Sequence, residues 1–403
     1  MPVVTLPVIV VIVMMLAGCA SMATLRNAPS DPAIAQRATL PDLPNVRFWA
    51  DEVPANPAAE LKRRVPSLQK LAQNSQRSAD GRPIVNILAL SGGGGDGAFG
   101  AGLLAGWSAR GDRPKFEVVT GVSAGAIIAP FAFLGPRYDA RMKDIWTRYG
   151  TSELITAQIL PGLLGGSALA DTAPLEALIA QYVDRRMLRE IAAEYRSGRM
   201  LLLGTTNLDA QRPVVWNMGE IAANQHPSAV ELFRKIILAS AAIPGAFPPV
   251  SIDVQADGQM YEELHADGGT TREIFISPVD APLKAFDPLY DTPPLRRIWI
   301  IKNGKLAPEY DVVTKQTIPL SVRAIYTLIK SQSLGDIYRT WRMAQDAGAD
   351  FNLQSVPPTF TVKAKEAFDP DYQAALYDTG YKIGRAGTWS KRPPVQRPVT
   401  AAR

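Results

Sequence analysis

The sequence predicts an α/β fold in which a largely parallel central sheet is flanked by helices. Three observations predict it. Short β-branched apolar runs such as Ile84–Leu90 stop abruptly at glycine, as buried strands do. The first two of these runs each lead through a loop into a helical period, the strand–loop–helix order that builds parallel sheets. No composition typical of a linker interrupts the chain between Ile84 and Gly384, and no internal repeat is visible. The chain has 403 residues, 47% apolar and 20% charged, which is ordinary globular composition with enough length for a large core.

Taken from the N-terminus, residues 1–18 are almost wholly apolar and lead into Leu16-Ala17-Gly18-Cys19. A short apolar run closed by small residues predicts a secretory signal, with a retained membrane helix as the alternative. The tetrapeptide resembles the lipobox of bacterial lipoproteins, although no Lys or Arg precedes the run. That resemblance implies cleavage before Cys19, a diacylglyceryl group on its thiol, and a lipid-anchored protein of the cell envelope. Ala20 in place of Asp, by the same resemblance, implies the outer membrane, on its periplasmic or surface face. Cys19 is the only cysteine, so no intrachain disulfide can form. Residues 19–80 read as a tether, with Pro29, Pro32, Pro41, Pro44, Pro54 and Pro57 keeping much of it extended. Phe48-Trp49 within it is expected to dock on the globular body.

A folded domain is expected over residues 81–388. Its strands are predicted at Ile84–Leu90, Phe116–Thr120, Met200–Thr205, Val214–Trp216, Arg297–Ile301 and Thr359–Val362. Helices are predicted at Gly97–Arg110, Ala124–Leu134, Pro174–Tyr182, Ala229–Ala241, Ile318–Ser331, Leu334–Asp346 and Pro370–Gly384. Residues 389–403, rich in Pro, Arg and Lys, read as a frayed basic tail.

Three motifs carry chemistry. Ser91-Gly92-Gly93-Gly94-Gly95-Asp96-Gly97 lies between a strand and a helix, where a backbone free of Cβ atoms can turn sharply and aim N–H groups at an anion. A pyrophosphate and an oxyanion both fit. Gly95-Asp96-Gly97-Ala98-Phe99-Gly100 satisfies a dinucleotide fingerprint, with Glu117 about 20 residues on, but Glu117 falls at the start of its strand rather than the end. Gly121-Val122-Ser123-Ala124-Gly125 decides between the two, because G-x-S-x-G between a strand and a helix is the turn that lifts a serine hydroxyl out of a sheet. Ala266-Asp267-Gly268-Gly269 supplies a carboxylate on a tight turn. The chain has only two histidines, His226 and His265, and neither sits in a pattern that marks a base. A serine nucleophile would then need a carboxylate as its proton acceptor.

Glycine loop, G-x-S-x-G and Asp-Gly-Gly, in that order, resemble the patatin-like phospholipases, and the resemblance runs from about Ile84 to Gly269. It extends to Ala239–Pro249 (Ala-Ser-Ala-Ala-Ile-Pro-Gly-Ala-Phe-Pro-Pro) and to Thr205-Thr206-Asn207-Leu208-Asp209. It implies a three-layer patatin-like fold and hydrolysis of lipid or acyl esters through an acyl-enzyme. Ser123 would be the nucleophile, Asp267 the base, and Gly93, Gly94 and Gly95 the oxyanion donors, with Ala124 N–H as a possible addition. Gly92, Gly97, Gly121, Gly125, Gly268 and Gly269 complete the motifs. One departure is Asp96, where the family usually carries Arg or Lys. A carboxylate there would oppose an oxyanion unless it turns away or is paired.

The remaining expectations concern partners. The substrate is membrane lipid or acyl ester, and Leu154–Leu169, broken by Pro161, Gly162, Gly165 and Gly166, is the candidate trough wall or lid, with a buried helix as the alternative. A net charge of +5 spread over this length, with no basic–aromatic stripe, argues against nucleic acid. Two histidines and one cysteine leave no ordinary zinc site, and no cofactor is expected. The competing function is a catalytically silent envelope lipoprotein that binds a lipid or a partner.

Overall fold

The computed structural model describes residues 26–43, 45–52, 57–157, 170–224, 226–277 and 282–394. Its strands are β1 Arg47–Trp49, β2 Ile84–Leu90, β3 Val118–Gly121, β4 Thr156–Ala157, β5 Ala170–Asp171, β6 Met200–Asn207, β7 Arg212–Asn217, β8 Val250–Ala256, β9 Gln259–Asp267, β10 Leu295–Lys305 and β11 Asp350–Val356. Among the described residues, nine of them join in one mixed sheet with the central order β1-β7-β6-β3-β2-β10-β11, while β4 and β5 form a separate ribbon. From β6 to β11 the neighbours run parallel. β7 and β1 add an antiparallel edge, and the β8–β9 hairpin attaches antiparallel to the end of β6.

Helices cover both faces, and β2 shows why its sequence is apolar throughout. Leu88 and Leu90 join the core that holds Phe99, Leu103 and Phe131 from the helices Gly97–Arg110 and Ala124–Leu134. Val85, Ile87 and Ala89 point the other way, into a core with Ile337 and Ala344 of the helix Thr317–Ala347. A strand buried on both faces loses the alternation of a half-exposed one. The helix Pro370–Ala386 lies directly on Gly97–Arg110: a Cβ at Gly102 would stand 2.0 Å from the Tyr377 carbonyl oxygen.

The segment before β2 is only partly a tether. Residues 57–74 form a helix, and β1 pairs Phe48 with Val215. Three local expectations are corrected. Thr359–Val362 is irregular and the edge strand is β11, because Pro357 and Pro358 lack the N–H groups a ladder needs. The two helices expected at Ile318–Ser331 and Leu334–Asp346 are one continuous helix, Thr317–Ala347, which Gly335 does not break. Residues 389–394 are not frayed. Trp389 packs on Trp107 and Trp299, and Ser390 bridges to Leu353. Helices at Asp139–Arg148 and Arg185–Arg196, and the β8–β9 hairpin, are further elements of the fold.

Candidate active site

Sheet register explains how two motifs far apart in sequence come together. β3 covers β6 only as far as Gly121 opposite Leu203. Beyond that point β9 takes the vacant side of β6, with Asp267 opposite Thr205. Ser123 lies two residues past Gly121, and Thr205 two residues past Leu203, so the serine turn and the aspartate converge at the mouth of the sheet.

Ser123 has φ 54° and ψ −123°, a backbone state that costs a non-glycine residue about 1–3 kcal/mol. The turn is held from both sides. Ser123 N–H donates to Ser240 Oγ at 3.0 Å, and that hydroxyl donates in turn to the Gly204 carbonyl at 2.7 Å. Gly121 and Gly125 let strand and helix close up: a Cβ at Gly125 would lie 2.3 Å from the Leu90 carbonyl oxygen. Asp267 is positioned by the same two segments, since its N–H donates to the Ala242 carbonyl at 2.8 Å and its carbonyl accepts from Thr206 Oγ1 at 3.0 Å. The stretches Ala239–Pro249 and Thr205–Asp209 thus hold Ser123 and Asp267 in place.

The Asp267 carboxylate is buried. Oδ1 accepts from Gly269 N–H at 2.7 Å, whereas Oδ2 has no hydrogen-bond partner within the protein. Burial first, and then the Glu273 carboxylate, push its pKa up to about 7, against the opposing pull of the neighbouring Ser123 hydroxyl and Gly269 N–H. Glu273 was not foreseen from sequence. It is buried between Gly92 and Gly269, donates its N–H to Asp336 and pairs with Lys302 Nζ at 3.1 Å. Burial raises its pKa too, and Lys302 lowers it. Isolated acidic residues without a motif give no signal of this kind in a single sequence.

The glycine loop is pinned by Asn303, whose side chain donates to the Ser91 carbonyl at 2.7 Å and accepts from Gly100 N–H at 3.0 Å. Gly93 has φ 154°, and a Cβ on it would fall 2.1 Å from the Asn303 carbonyl oxygen; Gly94 has φ 54°. Both line a cleft with Ser123, while Gly95 is buried against the Ala367 carbonyl and does not line it. The Gly92 backbone is engaged by Glu273. Gly97 packs on the Trp146 ring, and Gly268 on the Gly204 carbonyl. Asp96 is paired: Oδ1 accepts from the Tyr372 hydroxyl at 2.6 Å, and desolvation raises its pKa. Glu117, the acid of the dinucleotide fingerprint, accepts from Asn86 N–H at 2.5 Å inside the sheet and is buried.

Neither histidine lines the cleft. His226 lies on the surface beside Ser228. His265 is buried further back along β9, its Nδ1 3.0 Å from Thr205 Oγ1 and its Nε2 3.2 Å from Glu263.

Two cavities meet at Ser123, Gly94 and Ile243. One is apolar, with about 770 Å³ of empty space including its mouth, lined by Ile127, Phe131, Trp146, Ile179 and Phe247. The other is polar, with about 1430 Å³ including its opening, lined by Asp96, Asp267, Glu273, Lys302, Lys305 and Arg323. Leu154 borders the apolar cavity; residues 158–169 of the trough wall expected at Leu154–Leu169 lie outside the described residues, as does Cys19.

Residues 88–280 match the patatin-like phospholipase family model. The match spans the glycine loop, the Ser123 turn and Asp267, and patatin-like phospholipases act on lipid esters. The crystal structure of VipD from Legionella pneumophila is similar over 77% of this chain and 69% of that one, at 11% identity and a TM-score of 0.36. No curated protein matches the sequence.

Proposed function

We propose that the protein is a serine lipid-ester hydrolase in which Ser123 attacks the ester carbonyl and Asp267 takes its proton. The observation that carries this is the place of Ser123, on a strained turn where an apolar cavity meets a polar cleft holding a buried carboxylate with a free oxygen. The acyl chain lies in the apolar cavity and the alcohol portion in the polar cleft. Attack forms the Ser123–carbonyl bond as the hydroxyl proton passes to Asp267. The tetrahedral oxyanion is held by backbone N–H groups of Gly93 and Gly94, with Ala124 at the helix start. Collapse expels the alcohol, which takes the proton from protonated Asp267. Water, deprotonated by the same carboxylate, then attacks the acyl-enzyme; the Ser123–acyl bond breaks, Ser123 Oγ takes the proton back from Asp267, and the acid is released.

An ester series tests this. Turnover of p-nitrophenyl esters should rise from acetate to octanoate, as methylenes worth about 0.8 kcal/mol each enter the apolar cavity. A flat series, or turnover of acetate alone, would remove the assignment of that cavity to the acyl chain.

We also propose the lipid anchor at Cys19 and an outer-membrane location, on the lipobox-like Leu16–Cys19 and the following Ala20. Metabolic labelling with a clickable palmitate should mark the wild-type chain and not Cys19→Ser; equal labelling of both would reject the anchor.

A further inference from the structure

The helix Thr317–Ala347 changes character along its length. Its C-terminal half buries Ile337 and Ala344 against the sheet. Its first four turns carry Leu320 and Leu328 exposed by 47% and 69%, and the loop before them carries Tyr310 and Val312 exposed by 92% and 78%. Eight residues apart, Leu320 and Leu328 fall on one side of the helix, and an apolar strip shown to water there marks a contact surface. Two features identify what it contacts. From Tyr310 to Leu328 the charged residues are Asp311, Lys315 and Arg323, with Lys330 close behind, a cationic excess that complements an anionic surface. Arg323, Tyr326 and Ile329 also line the polar cleft that holds Ser123, so the exposed turns continue into its wall. No helix among the described residues is long and apolar enough to cross a membrane; contact in the plane of a lipid layer is what this segment fits.

Building on the lipid-ester hydrolase function proposed above, we propose that the segment Tyr310–Leu328 is a docking surface for an anionic lipid layer, seating the cleft on the layer that supplies its substrate. The docking surface is distinct from the anchor at Cys19, which tethers the protein but sets no orientation.

The test uses the full chain carrying Cys19→Ser and Leu328→Cys, labelled at position 328 with nitrobenzoxadiazole. Replacing Cys19 removes the only native thiol and the proposed anchor. Vesicles of equal parts phosphatidylcholine and phosphatidylglycerol should blue-shift the probe and raise its emission severalfold, with a much smaller response to phosphatidylcholine alone. An unchanged spectrum while the protein cosediments with the vesicles would overturn the proposal. So would a shift without vesicles that grows with protein concentration, which would assign the face to a second copy. In a second arm, Leu320→Glu with Leu328→Glu should lower fatty-acid release from the same vesicles by about tenfold or more, with turnover of a soluble short-chain ester held within about twofold. Equal loss on both substrates would also count against docking. If the wild-type chain hydrolyses neither substrate, the hydrolase function fails, and the fluorescence arm still decides docking.

Discussion

Replacing Ser123 with alanine is expected to lower ester hydrolysis by about ten-thousand-fold, read as kcat with a p-nitrophenyl ester, while thermal unfolding stays near wild type. The loss is in kcat because the covalent path disappears, while both cavities and the glycine loop remain. Folding should be little affected because the turn is held through the Ser123 N–H to Ser240, which the substitution keeps. Ser123→Gly should be equally inactive yet more stable, since glycine adopts φ 54° without strain. A stabilised, inactive glycine variant would show that the strain is retained at the cost of stability.

Asp267→Asn is expected to lower kcat/KM by on the order of a thousandfold, whereas His226→Gln combined with His265→Gln leaves it within about tenfold. The neutral amide cannot accept the serine proton, and neither imidazole borders the cleft. The wild-type profile should show an acid limb near pH 7, because Asp267 must be ionised to act and its pKa is held up to about 7 by burial and Glu273. The sign for stability is opposite to that for activity. A carboxyl whose folded pKa exceeds its ordinary 3.8 favours the native state below that value, and the benefit is lost as pH rises toward about 7. Asp267→Asn should therefore melt above wild type at pH 8, by roughly 2–4 °C for each kcal/mol recovered, with the difference shrinking toward pH 4.

Much of this site was legible because the chemistry constrains sequence locally. Gly121–Gly125 and Ser91–Gly97 need particular backbone states and close approaches, so small residues mark them, and the strand β2 and the helices after each motif were bounded to the residue. Asp267 was legible from its Asp-Gly-Gly turn and from the scarcity of histidine. The hairpin that delivers it was not read, although Asp257-Gly258, at φ 51° and 78° between the paired strands β8 and β9, is a good hairpin turn signal. Glu273, Lys302 and Asn303 carry no local mark. They matter through contacts with the glycine loop across the sheet, and only the parallel pairing of β2 with β10 brings Lys302 and Asn303 there. Gly95 fitted the oxyanion pattern in sequence, yet the loop tightens into a short 3₁₀ turn at Gly94–Asp96 and Gly95 ends buried. Asp96, an apparent conflict with an oxyanion, is resolved by Tyr372, which comes from a helix 276 residues away in sequence.

Covalent trapping shows whether Ser123 is a nucleophile activated without histidine. The full chain is treated with a fluorophosphonate at pH 8, digested, and mapped by mass spectrometry, alongside Asp267→Asn and the double histidine variant. A single adduct on Ser123 is expected in the wild-type and double histidine proteins, with labelling largely lost in Asp267→Asn. An adduct on another residue, or labelling that persists without Asp267 and vanishes without the histidines, would contradict that activation.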